Sequence, residues 1–249
     1  MSSPQALDRF SPLTRSWFAG TFVQPTPAQA QAWSAIANGD NTLVIAPTGS
    51  GKTLAAFLWA IDRLAHQPDV RGTRVLYVSP LKALAVDVER NLRTPLTGIT
   101  RIAERDGLPV PRISVGVRSG DTPPAQRREL ITRPPDILIT TPESLFLMLT
   151  SAARETLAGV QTVIVDEVHA VAGTKRGAHL ALSLERLDAL LETPAQRIGL
   201  SATVRPAEEV ARFLVGAAGP ATIVAPPAAK TFELTVQVPV PDMANLENN

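Results

Sequence analysis

Thr42-Leu43-Val44-Ile45-Ala46-Pro47-Thr48-Gly49-Ser50-Gly51-Lys52-Thr53 decides how the rest of the chain is read. Its first five residues are apolar or β-branched without alternation, as in a strand covered on both sheet faces. Residues 53–65 then carry helical spacing. Strand, glycine loop and helix in that order form the setting in which an A-x4-G-K-T string cradles phosphates. Gly49 and Gly51 permit positive φ, so the N–H groups of Thr48, Gly49, Ser50 and Gly51 and the helix N-terminus can wrap the phosphate oxygens. Lys52 would place its ammonium on the β- and γ-phosphates, and Thr53 would offer its hydroxyl to Mg²⁺. Chance produces a loose match in roughly 2 % of chains this long, and the flanking strand and helix lower that further.

Outward from this stretch, similar short apolar runs recur at Val75–Ser79, Ile113–Val117, Ile137–Thr140, Thr162–Asp166 and Ile198–Ser201. Helical spacing fills residues 6–18, 27–38, 82–92, 124–131, 142–149 and 177–192. Strands alternating with helices predict an α/β fold with a mostly parallel sheet and helices on both faces. Gly216–Ala229 is rich in Ala, Gly and Pro and reads as a linker. Thr231–Val240 then alternates strictly, as a strand with one wet face. We expect residues 1–225 to form one domain. Residues 226–249 are expected to lead into a further domain, an edge strand of the same sheet being the alternative.

The run Val163-Ile164-Val165 delivers Asp166-Glu167-Val168-His169 at a strand end, 114 residues after Lys52. Ligands of open α/β sheets bind at such ends. Asp166 suits a second Mg²⁺ contact, and Glu167 suits a base that orients and deprotonates an attacking water. A lone Asp-Glu pair is usually a solvated turn. Here it follows a buried strand in a chain that already carries a phosphate loop.

Composition sets outer bounds. Apolar residues are 45 % and charged residues 19 % of 249, which describes a globular chain. No apolar run approaches the roughly 20 residues of a membrane span, and the N-terminus lacks a secretory pattern. There are no cysteines, which excludes disulfides and thiolate metal sites and predicts a cytoplasmic protein. The net charge of +1 implies no global basic footprint, so any nucleic-acid surface must be local. Trp17, Trp33 and Trp59 sit on apolar helical stripes and read as core residues. Arg127-Arg128 reads as a solvated charge run.

These strings together resemble superfamily 2 helicases of the DExH branch. Ala46–Thr53 resembles motif I, Asp166–His169 motif II and Ser201-Ala202-Thr203 motif III. Pro25-Thr26-Pro27-Ala28-Gln29 resembles the Q motif, whose glutamine reads the adenine edge. Ser79-Pro80-Leu81-Lys82-Ala83-Leu84 resembles motif Ia. Ser119-Gly120-Asp121-Thr122 and Thr140-Thr141-Pro142-Glu143 resemble the two nucleic-acid motifs that follow. Ala55–Asp62, Gly116–Thr122 and Gly173-Thr174-Lys175-Arg176-Gly177-Ala178-His179 are similar to the Lhr group, the large helicase-related proteins.

The resemblance implies a RecA-like lobe that binds ATP and Mg²⁺, with Lys52, Asp166, Glu167 and His169 as the catalytic set. It implies strand contacts from Pro80, Leu81, Lys82, Arg118, Gly120, Asp121, Thr122, Thr140, Thr141, Pro142, Glu143 and Arg176. Ser201 and Thr203 would couple the two sites. The implied activity is ATP-driven translocation on single-stranded DNA with unwinding of duplexes or RNA–DNA hybrids, linked to DNA repair. The family motor also has a second RecA-like lobe, which brings an arginine finger, and winged-helix domains. Neither finds room here, so the chain is expected to be an isolated first lobe. An arginine finger is worth roughly 10³–10⁵ in rate. Two other readings stay open: a duplex translocase that does not unwind, and a nucleotide-dependent binding module with negligible turnover alone. The D-E-x-H and S-A-T strings count against a small-molecule kinase.

Overall fold

The computed structural model describes residues 3–67 and 72–227. Seven strands form one sheet in which every pairing is parallel: β1 Asn41–Ile45, β2 Val75–Val78, β3 Val115–Arg118, β4 Ile137–Thr140, β5 Thr162–Val165, β6 Gln196–Ser201 and β7 Ala221–Val224. Their spatial order is β3-β4-β2-β5-β6-β1-β7. The α/β parallel fold expected from the runs is therefore present.

Successive strand residues face opposite layers, and both layers are apolar. Val44, Tyr77, Ile139, Ile164 and Leu200 pack under α1 Pro12–Thr21, α2 Pro27–Ala37, α3 Lys52–Ala65 and α4 Lys82–Arg105. Leu43, Ile45, Leu76, Val78, Leu138 and Val165 pack on the other face. There they meet α5 Pro124–Thr132 through Leu130, and α6 Pro142–Leu149, α7 Val168–Val171, α8 Lys175–Asp188 and α9 Ala207–Val215. That two-sided burial explains why the strands read as continuous apolar runs. Trp33 is fully buried and donates its indole N–H to Ala55 O at 3.0 Å. Trp17 is buried too, and Trp59 is partly buried against the same core.

Several boundaries differ from the sequence expectation. Residues 6–18 are not one helix: a 3₁₀ segment Ser3–Arg9 stops and α1 restarts at Pro12, because Ser11 caps it through Thr14 N. The third strand is displaced to Val115–Arg118, which puts Arg118 on its last position. Helix α4 runs past Asn91 and Leu92 and through Pro95. Leu96, Ile99 and Ile102 continue its apolar stripe into the core. Gly98 lets Trp17 lie on α4, since a Cβ there would fall 2.2 Å from Trp17 Nε1. Finally, Gly216–Ala229 is not all linker: Ala221–Val224 pairs with Asn41–Val44 as the edge strand β7. The alternating segment Thr231–Val240 lies outside the described residues, as does all of 226–249 except Pro226 and Pro227.

The registers align the strand ends along one edge. Ile45 stands beside Ser201, Val165 beside Val78, and Val78 and Arg118 both beside Thr140. The phosphate loop, Ser79–Leu84, Ser119–Thr122, Thr140–Glu143, Asp166–His169 and Ser201–Thr203 all leave the sheet at that edge.

Candidate nucleotide and strand site

The phosphate loop is braced from α2. Thr26 Oγ1 accepts from Gln29 N at 3.2 Å and Gln29 Oε1 accepts from Thr26 N at 3.0 Å, forming a capping box. Both residues then reach the loop: Thr26 Oγ1 donates to Ser50 O at 2.9 Å and Gln29 Nε2 donates to Gly51 O at 3.4 Å. Gly51 has φ +79°, and a Cβ on it would sit 2.4 Å from Gln29 Nε2. Only glycine meets both demands. In this arrangement the amide of Gln29 holds the loop, with one lone pair and one N–H left for a ligand.

Lys52 donates from Nζ to Ala46 O at 2.6 Å and is buried. Burial lowers its pKa, while Glu167 and Asp166 pull in the opposite direction. The Ser50 hydroxyl is buried with no partner among the described residues, an orphan inside the loop that an incoming oxygen would satisfy. Beside the loop opens a cavity of about 260 Å³, walled by Thr26, Pro27, Ala28, Pro47 and Pro226-Pro227. Its largely apolar wall suits the flat face of a base.

Asp166 directly follows the last residue of β5 and is buried. Its Oδ1 accepts from Glu167 N at 2.9 Å and its Oδ2 from the Tyr77 hydroxyl at 2.5 Å. Burial first, then the charge of Asp166, raises the Tyr77 pKa far above its ordinary value, so the phenol stays a donor. Tyr77 also stacks on Phe57, with centroids 5.0 Å apart. Sequence reasoning missed this residue. The signal was there, since it is the lone tyrosine of the chain, inside an otherwise aliphatic strand.

Glu167 has φ +44° and ψ +45° and is the one non-glycine residue at positive φ among the described residues. Such strain persists where surrounding contacts enforce it, and it clusters at functional sites. His169 Nδ1 accepts from Ala202 N at 3.3 Å and lies 3.2 Å from Ser201 Oγ. Accepting there places the ring hydrogen on Nε2. The Glu167 carboxylate, 3.3 Å from the same Nδ1, is then an electrostatic neighbour rather than an ion-pair partner. Asp166–His169 and Ser201–Ala202 thus touch directly across β5 and β6. Thr203 is exposed and lines an open cleft with Pro47 and Arg205.

The expected strand contacts lie at the ends of β2, β3 and β4 and just after them, apart from Arg176 in α8. Arg118 is buried, its Nη1 has no partner among the described residues, and burial and then Arg127 lower its pKa. The following turn is held by Thr122 Oγ1, which accepts from Ser119 N at 2.9 Å, and by Arg127. Arg127 donates to Thr122 O at 2.7 Å and Gly120 O at 2.8 Å. Arg127 is therefore not a solvated charge but the brace of Gly120–Thr122, another residue the sequence reading passed over. Asp121 is exposed. Thr140 is fully buried and donates to Arg118 O at 2.8 Å. Thr141 caps α6 by accepting from Ser144 N at 3.3 Å, with Pro142 as first helical residue. Leu81 is 54 % exposed. Lys82 opens α4, and its side chain lies outside the description. Arg176 pairs with Glu143 and with Pro80 O.

The DEAD/DEAH box helicase family model matches residues 26–212, from the capping box to α9. This chain belongs to the DEAD/DEAH box helicase family. The helicase lobe is 81 % identical, over 98 % of its own length and 16 % of the relative's, to a Lhr helicase/probable uracil glycosylase of Mycolicibacterium smegmatis. It is 59 % identical, over 97 % of its length and 16 % of the relative's, to a Lhr helicase/uracil glycosylase of Escherichia coli. Among solved structures it is similar to Mycobacterium smegmatis helicase Lhr bound to single-stranded DNA and AMP-PNP. That match has a TM-score of 0.89 and covers 98 % of this chain and 31 % of that one. The helicase lobe thus spans about one sixth of these two curated relatives. Among the described residues no helix is long and apolar enough to cross a membrane.

Proposed function

We propose that this chain is the first RecA-like, ATP-binding lobe of an ATP-dependent, Lhr-like helicase that moves along single-stranded DNA. One observation carries the reading. A braced phosphate loop, a buried Asp166 beside Glu167, and three strand-end turns lie on one sheet edge, and Ser201–His169 contacts bridge β6 and β5 between them. That arrangement suits coupling of nucleotide state to grip on a strand.

In the proposed cycle ATP is substrate. Its phosphates take Lys52 Nζ from Ala46 O and meet the Ser50 hydroxyl and the N–H groups of Thr48–Thr53. Its base lies in the cavity beside Gln29. Glu167, held near His169, orients and accepts a proton from the attacking water. A divalent ion fits this donor set, because the Thr53 hydroxyl and the Asp166 carboxylate are hard oxygen ligands. Bound there, Mg²⁺ would neutralise phosphate charge. Asp166 keeps free lone pairs beyond its bonds to Tyr77 and Glu167.

Turns after β2, β3 and β4 offer N–H groups, hydroxyls and Arg118 to the sugar-phosphate backbone, contacts without sequence content. Unwinding of RNA–DNA hybrids, a repair role, and docking of a second RecA lobe and winged-helix domains belong to the same proposal. The glycosylase half of the relatives' names is not extended to this chain.

The test is ATP hydrolysis by the longest natural form of the protein, with and without single-stranded DNA. We expect stimulation by DNA, and loss of at least ~100-fold in turnover with Lys52→Ala or Glu167→Gln. DNA-independent turnover that survives both substitutions would refute the assignment.

A further inference from the structure

The string Gly173–His179 marks Arg176 as a strand contact, yet its donors are already engaged by other residues of the lobe. Nε and Nη2 donate to the two carboxylate oxygens of Glu143 at 2.5 and 3.0 Å. Nη1 donates to Pro80 O at 2.5 Å. Three of the five guanidinium N–H groups are thereby used in a fixed fork. The charge is met as well, since this pairing holds the Glu143 carboxyl at about 2. A phosphate arriving at Arg176 would have to displace a bidentate carboxylate.

These contacts join three separate parts of the edge. Pro80 lies in the turn after β2, Glu143 in the first turn of α6 after β4, and Arg176 in the first turn of α8. The α8 N-terminus is itself fixed to the segment that follows Asp166. Thr174 Oγ1 accepts from Gly177 N at 3.0 Å and donates to Val171 O at 2.7 Å. Gly177 sits so close to α7 that a Cβ would fall 2.0 Å from Val171 O. Arg176 is therefore anchored to the acidic strand end and reaches across to two turns on neighbouring strands.

We propose that Arg176 is a positioning residue, not a phosphate contact: it sets the spacing between the Pro80 turn and the Thr140–Glu143 turn and ties both to the helix after Asp166-Glu167. This rests on the strand-binding reading above. Isolated surface ion pairs contribute little, but a bidentate pair with a third contact to backbone is the exception in geometry.

Affinity for labelled single-stranded DNA across a salt series, with saturating AMP-PNP, separates the two roles. The full-length protein is compared with Arg176→Gln, Glu143→Gln, the double variant and Arg176→Lys. Positioning predicts that each single variant weakens binding by about 3–10-fold. The double variant is no weaker than either, Lys fails to restore the fork, and the slope of log K against log salt is unchanged. A phosphate contact predicts a slope reduced by about 0.7 in Arg176→Gln, and tighter binding in Glu143→Gln because the competing carboxylate is gone. Either result overturns the proposal, as does wild-type affinity in all variants or full rescue by Lys. If Arg176→Gln does not fold, the near-isosteric Glu143→Gln decides by the sign of its effect. If the unaltered protein binds no strand, the strand-binding reading fails and this inference with it.

Discussion

Tyr77 donates its phenolic hydrogen to Oδ2 of Asp166 across 2.5 Å, from the middle of one buried strand to the end of its neighbour. The bond orients a carboxylate that would otherwise rotate at the strand end. Tyr77→Phe keeps the ring against Phe57 and removes only the donor. We expect the unfolding free energy to drop by about 1.5–3 kcal/mol, the usual cost of losing a hydrogen bond to a charged group. Denaturant unfolding measures this, and an unchanged midpoint contradicts the role.

The same residue gives an alkaline signature. The folded pKa of Tyr77 is raised, so its contribution is fully present below the unfolded value of 10.0 and declines as pH rises above it. Melting curves from pH 8 to 11 should show a loss of stability above about pH 10 that is smaller in Tyr77→Phe. Parallel curves for the two proteins would count against it.

Gly51→Ala meets two separate obstacles, a positive φ and the Gln29 amide 2.4 Å from the new methyl. The φ alone costs about 1–3 kcal/mol. Adding Gln29→Ala should recover part of the stability but not all of it, because the backbone strain stays. Full recovery in the double variant would show that side-chain crowding is the whole effect.

Glu143 gives the acid-side counterpart. Arg176 lowers its pKa from 4.5 to about 2, with a smaller opposing effect of burial. A lowered carboxylate stabilises the fold above the unfolded value, and that contribution is lost as pH falls from about 4.5 towards 2. The acid limb of a stability profile should flatten in Glu143→Gln. Since Glu143 is largely exposed, the change is modest, and NMR titration of its side chain is the sharper readout.

Much of the fold was legible because buried parallel strands need apolar residues at every position. The phosphate loop announces its own strand and helix. What stayed hidden depends on tertiary context. Ala221–Val224 becomes a strand only because β1 offers it an open edge, and its Ala- and Gly-rich flanks read as linker. Helical spacing is read only over residues 82–92, yet packing of Leu96 and Ile99 carries α4 on through Pro95. At the site, the residues that would touch ligands stood out through motif spacing. Those that hold them are harder to read: Tyr77 acts through a partner 89 residues away, Arg127 braces its turn from within an Arg-Arg run that reads as solvated, and the strings that marked Glu143 and Arg176 did not disclose that the two pair.

The central claim is that nucleotide and strand share one coupled device. Its most direct test is the affinity of the longest natural form of the protein for single-stranded DNA, with and without AMP-PNP, in wild type, Lys52→Ala and Ser201→Ala. We predict an affinity that changes at least ~5-fold with nucleotide in the wild type, does not respond in Lys52→Ala, and responds less in Ser201→Ala although nucleotide still binds. Equal DNA affinity with and without nucleotide in the wild type would contradict the account.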